Sequence, residues 1–142
     1  MKRLFEQLRR HSVALISLAV AISSLAYNTW RNEVSEANRT VRDAAIETII
    51  GLGEFEQTIF LVRWGDDMDQ RRYHLLAWAQ VRSMRTLSVL FPEPGRSALL
   101  NLESTWDELD FAIQEDEDAA DQMSAAIDAT RDDLLIVLEM LE

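Results

Sequence analysis

The sequence predicts an all-α protein in which one N-terminal transmembrane helix continues into an antiparallel bundle of about four helices. Three observations predict it. Residues Ser12 to Trp30 form a run of 19 positions without a charge. Beyond that run, apolar residues recur at alternating spacings of three and four, and no segment alternates with period two. Only 4 Gly and 2 Pro occur in 142 residues, so few turns are encoded and the elements must be long. The four segments expected are a basic cytoplasmic tail (1–11), the transmembrane helix (12–30), a polar helical stalk (31–43) and an acidic helical-bundle domain (44–142).

The charge-free run is about 28 Å long at ~1.5 Å per residue, close to a hydrocarbon core of ~30 Å. Val13, Leu15, Ile16, Leu18, Val20, Ile22 and Leu25 supply the driving force, on the order of −3.5 kcal/mol in all at roughly −0.5 each. Tyr27 and Trp30 sit where an interfacial aromatic belt would lie, and Arg31 follows at once. A cleaved signal peptide has similar parts: a basic start, an apolar run, and Ser24-Leu25-Ala26 as a small-x-small site. No Gly or Pro occurs between Met1 and Ile50, however, so the helix is expected to run on through Ala26 as an uncleaved anchor. Lys2, Arg3, Arg9 and Arg10 precede the span, whereas Arg31, Arg39 and Arg42 behind it are diluted by acids. The bias puts the N-terminus inside. In a bacterial source this would mean an inner-membrane protein with a periplasmic domain. One face of the span, Ala14, Ser17, Ala21, Ser24 and Asn28, is small and polar, a candidate contact with another membrane helix.

After the stalk the first helix turns apolar. Ala45, Leu52, Phe55, Ile59 and Val62 share a face that Ile46, Ile49, Ile50 and Phe60 widen, and Gly51 and Gly53 could admit a bend. Gly65-Asp66-Asp67-Met68 reads as a turn in which Asp67 caps the second helix with Gln70 completing the box. That helix is expected to reach Phe91 before Pro92 and Pro94, with Tyr73, Leu76, Gln80, Met84, Leu87 and Phe91 buried. The third, after Gly95, carries Leu99, Leu102, Trp106, Leu109 and Ile113. Glu115 to Asp118 suit the N-terminal end of the fourth helix. There Ala120, Met123, Ile127, Thr130, Leu134, Val137 and Leu141 keep the 3,4 pattern.

Function is far less legible. Residues 31–142 carry 10 Arg against 24 acids, a balance of −14, which repels nucleic-acid phosphates and anionic lipid. With no cysteine there is no disulfide, thiolate nucleophile or cysteine-type zinc site. His11 and His74 lie on different elements, without a carboxylate at ligand spacing. The acidic clusters Asp66, Asp67, Asp69 and Glu115 to Asp118 with Asp121 do not fit a calcium loop and read as solvated turns and caps. No phosphate loop or nucleophile elbow occurs. No enzyme activity, metal or cofactor is expected.

What remains is the membrane and a protein partner, or self-association. The candidate partner surface is a stripe on the second helix: Arg71, His74, Trp78, Arg82 and Arg85. Trp and Arg are the residues most enriched at binding hot spots. The competing reading pairs the stripe with acids of the other helices, among them Asp107, Glu108 and Asp110 on the third helix and Asp121, Asp128, Asp132 and Glu139 on the fourth. Leu100 and Phe111 point away from the apolar stripe of the third helix and form a second odd patch, either packed on a further helix or part of an oligomer contact. Two alternatives to a tethered interaction module stand beside it: a secreted bundle released after Ala26, and a membrane-tethered sensor that binds a small ligand near Gln80 and Thr48.

Overall fold

The structure, a computed structural model, describes residues 2–65 and 70–141, with side chains from His11 onward. Four α-helices account for most of it: α1 (Lys2–Trp64), α2 (Gln70–Leu87), α3 (Gly95–Leu109) and α4 (Glu117–Glu139), with a 3₁₀ turn at Ser88–Leu90. No strand occurs among the described residues. The fold is all-α. Internal contacts divide the chain into two compact units, Met1–Arg39 and Thr40–Glu142.

The first unit is the early part of α1. From Val13 to Trp30 its described side chains are all exposed, and its apolar ones (Val13, Leu15, Ile16, Leu18, Val20, Ile22, Leu25) are 57–70% exposed. The same helix contains a stretch long and apolar enough to cross a membrane.

The second unit has a core to which all four helices contribute. Leu52, Phe55 and Val62 come from α1, Ala77 and Val81 from α2, Leu99, Leu102 and Trp106 from α3, and Met123, Ile127, Leu134 and Val137 from α4. Trp106 lies at 0% exposure with its ring edge-on to Phe55, centroids 5.6 Å apart. Such a pair stabilises by about 0.5–1.5 kcal/mol beyond its buried area. α3 packs along α4 and against α2. Three arginines tie α1 and its surroundings together. The Arg42 guanidinium donates to the Leu141 carbonyl at 3.4 Å, Arg131 meets Glu56 at 2.9 Å, and Arg63 donates to the carbonyls of Ile113 and Asp116 at 3.2 and 3.0 Å. Buried Thr48, Thr58 and Thr130 need no partner from another helix. Each hydroxyl donates to the carbonyl four residues back, at 2.8–3.0 Å.

Helix ends follow local chemistry. Asp116, with extended backbone, accepts the Asp118 N–H at 2.9 Å and caps α4. At the start of α3 the Glu93 carboxylate accepts the Ser97 N–H at 3.1 Å. The Ser97 hydroxyl and N–H hold that carboxyl below its ordinary value of 4.5, with a smaller contribution from Arg96. The cap expected at Asp67 lies outside the described residues. Gln70 is described, and its side-chain amide donates to the Gly65 carbonyl at 3.3 Å.

Three expectations about faces need correction. α2 ends at Leu87 rather than Phe91, and the 3₁₀ turn carries the chain to the prolines. Its buried residues are Ala77, Val81 and Met84, so of the expected face only Met84, with Phe91 beyond the helix, is buried, and the first turns of α2 are rotated from it. Leu76 is exposed, while Tyr73, Gln80 and Leu87 are only half-buried. On α1 the expected wide arc narrows: Ile46, Ile50 and Phe60 are exposed, leaving Ala45, Leu52, Phe55, Ile59 and Val62 as the buried face. α1 is helical through Gly51 and Gly53.

Candidate functional site

The small-residue stripe of the span, Ala14, Ser17, Ala21, Ser24 and Asn28, is exposed along its whole length. At the end of the span the Tyr27 and Trp30 rings lie 6.1 Å apart.

The stripe on α2 is used in several ways. Arg71 is exposed. Trp78 turns toward α3: its indole N–H donates to the Asp110 carboxylate at 3.1 Å, and its ring meets Trp106 edge-on at 6.2 Å. Arg82 lies over the Trp78 ring at 4.9 Å, a cation–π contact on the outer face. Arg85 forms an ion pair with Glu103 at 2.7 Å, although its own side chain is largely exposed. His74 is half-buried between the Trp106 and Phe111 rings, at 6.1 and 6.2 Å. The structure thus brings His74 and Trp78 to the aromatic cluster of α3, pairs Arg85, and leaves Arg71 in solvent.

Asp110 is the residue that sequence reasoning undervalued. In sequence it looks like one of three surface acids of the third helix, yet it is buried at 3% exposure just beyond the end of α3, where it accepts the Trp78 indole N–H. A signal was available: Asp110 falls four residues after Trp106, on the same helical face. Two buried polar atoms nearby, Trp106 Nε1 and His74 Nδ1, have no hydrogen-bond partner among the described residues. Of the second odd patch, Phe111 is exposed apart from its stacking on His74, and Leu100 is exposed on α3.

The residues considered as ligand contacts, Thr48 and Gln80, line one groove of about 250 Å³ between α1 and α2, together with Glu47, Glu54, Ser83 and Met84. The Gln80 side-chain oxygen is buried without a partner among the described residues, and the Thr48 hydroxyl donates to the Ala44 carbonyl. A second groove, about 200 Å³, lies between α1 and α4. Its wall is Phe60 and Trp64, which sequence reasoning had not singled out as a site. Among the described residues no group of three or more His, Asp or Glu side chains is assembled to hold a metal. Asp66, Asp67 and Asp69 lie outside them.

No protein-family model, curated protein or solved structure matches this chain.

Proposed function

We propose that the chain is a single-pass membrane protein whose helical-bundle domain binds another protein. The observation that carries this reading is the contrast between the two units. Every long apolar side chain from Val13 to Leu25 is exposed, while the later helices bury their apolar stripes in one core. Seven exposed aliphatic side chains in 13 positions are costly in water and favourable in lipid. The pairs Arg42–Leu141, Glu56–Arg131 and Arg63–Asp116 run in opposite chain directions and support an antiparallel arrangement of α1 and α4. The basic residues before the span favour an N-terminus inside, with the acidic domain on the other side.

Alkaline carbonate extraction tests the anchor: the full-length product is expected to stay in the membrane pellet. Release into the supernatant refutes this reading. A mature N-terminus at Tyr27 would support the secreted alternative instead.

A second reading, a tethered sensor, is favoured by the groove that joins Thr48 and Gln80 beside an unpartnered amide oxygen. Its volume suits only a small ligand, because drug-sized pockets run from roughly 300 to 1,000 Å³. Gln80→Leu is expected to abolish any ligand-induced rise in melting temperature. A rise that survives this change excludes the groove.

A further inference from the structure

Phe60 and Trp64 stand one turn apart near the end of α1, and the core uses neither. Their rings are 4.3 Å apart and the residues are 61% and 63% exposed. They wall the groove between α1 and α4, with Ala120 at its floor and Glu56, Glu117 and Asp121 around it. An apolar cleft rimmed by charge is the usual form of an interaction surface.

Electrostatics select the partner. The single cation in the groove, Arg63, is held in place: its guanidinium donates to the Ile113 and Asp116 carbonyls and lies 5.0 Å from the Trp64 ring. Glu56 shares Arg131 with Asp128. Glu117 and Asp121 have no basic partner among the described residues. The rim is therefore negative, on a segment (31–142) that already carries 24 acids against 10 Arg, a balance of −14. Anionic lipid and nucleic acid are repelled, whereas a cationic peptide is attracted.

We propose that the Phe60–Trp64 groove docks a basic peptide segment. An apolar side chain of the partner enters beside the two rings, over Ala120, and its flanking Lys or Arg residues face Glu117 and Asp121. This deepens the interaction-module reading and rests on it, but it does not require the membrane anchor.

The test uses the full-length chain in neutral detergent micelles and a fluorescent, lysine-rich peptide carrying one Leu-Phe pair, followed by anisotropy. Saturable binding is expected, weakened by about tenfold or more in Trp64→Ser with Phe60→Ser, as at an aromatic hot spot. Glu117→Lys with Asp121→Lys is expected to weaken it about as much and to remove most of its salt dependence. A peptide with Glu in place of Lys should not bind. Circular dichroism melts confirm that the variants fold, since all four positions are on the surface or rim. Equal binding by parent and variants, or no binding by the parent, overturns the proposal. A parent dimer that becomes monomeric in Trp64→Ser places a second copy on this face and overturns it too. Crosslinking in membranes separates the two levels. A partner recovered equally by parent and Trp64→Ser keeps the interaction reading and rejects this groove, whereas peptide binding through the groove with no partner recovered rejects the interaction reading alone.

Discussion

Replacing Trp78 by Phe removes one donor from a buried carboxylate and leaves most of the aromatic packing in place. The Trp78 indole N–H lies 3.1 Å from Asp110, which is 3% exposed. A hydrogen bond to a charged group contributes about 1.5–3 kcal/mol, and leaving the charge without its donor incurs that whole loss. The smaller ring also weakens the edge-on contact with Trp106, a further ~0.5–1 kcal/mol. Together these give a destabilisation of about 2–4 kcal/mol. For a domain near 100 residues each kcal/mol moves the midpoint by roughly 4–8 °C, so a fall on the order of 8–32 °C is expected. Near-ultraviolet circular dichroism melts of the full chain in micelles read this directly. Trp78→Phe with Asp110→Leu should recover part of the loss, because removing both partners of a buried pair costs less than removing one. A Trp78→Phe melt within ~2 °C of the parent would show that the indole–carboxylate bond does not support the fold.

Three further outcomes follow from the same contacts. Leu18→Arg places a charge in the span at about +3 kcal/mol against a total near −3.5, so fractionation should find much of the product off the membrane; undiminished insertion would contradict the span as drawn. Gly95→Ala puts a methyl 3.0 Å from Val137 Cγ2 and 3.4 Å from Leu134 Cδ2. It should lower stability by about 1–2 kcal/mol in urea titrations through overpacking of α3 against α4, and an unchanged midpoint would mean that the contact relaxes freely. Glu93 has its carboxyl held below 4.5 when folded, so its cap on α3 is fully present above that pH and is lost as pH falls through the lower folded value. Glu93→Gln should therefore reduce the acid-side slope of stability against pH, and identical slopes would remove Glu93 from the account.

The sequence revealed α4 almost completely, because Met123, Ile127, Thr130, Leu134 and Val137 repeat at strict spacing and one face of the helix is all that the core requires. The buried face of α3 was legible for the same reason, and on α1 so was the central stripe of Ala45, Leu52, Phe55, Ile59 and Val62, though not the exposure of Ile46, Ile50 and Phe60 beside it. α2 was not. It carries two overlapping apolar stripes, and the pattern alone favours the one with the larger residues, Tyr73, Leu76 and Leu87. The structure buries the other, where small Ala77 and Val81 meet the core while Trp78 reaches Asp110. Pairwise tertiary contacts decided between them, and periodicity within one helix contains no information about those. The Trp78 stripe illustrates the same limit at the level of the site. Tryptophan among arginines reads as a surface, yet the indole is satisfied by a carboxylate 32 residues away. Phe60 and Trp64 were hidden for the opposite reason: Phe60 widens the apolar arc of α1 and so reads as buried, whereas the structure leaves both rings exposed.

The chain has no cysteine, so single cysteines can be placed at will. With Lys2→Cys, Leu18→Cys and Gln57→Cys in intact membranes, a membrane-impermeant maleimide should reach Gln57→Cys from one side and Lys2→Cys only from the other, the cytoplasmic one. Leu18→Cys should stay unlabelled until detergent is added. Labelling of Leu18→Cys in sealed membranes as fast as Gln57→Cys would show that the apolar run lies in water and would contradict a membrane-held bundle.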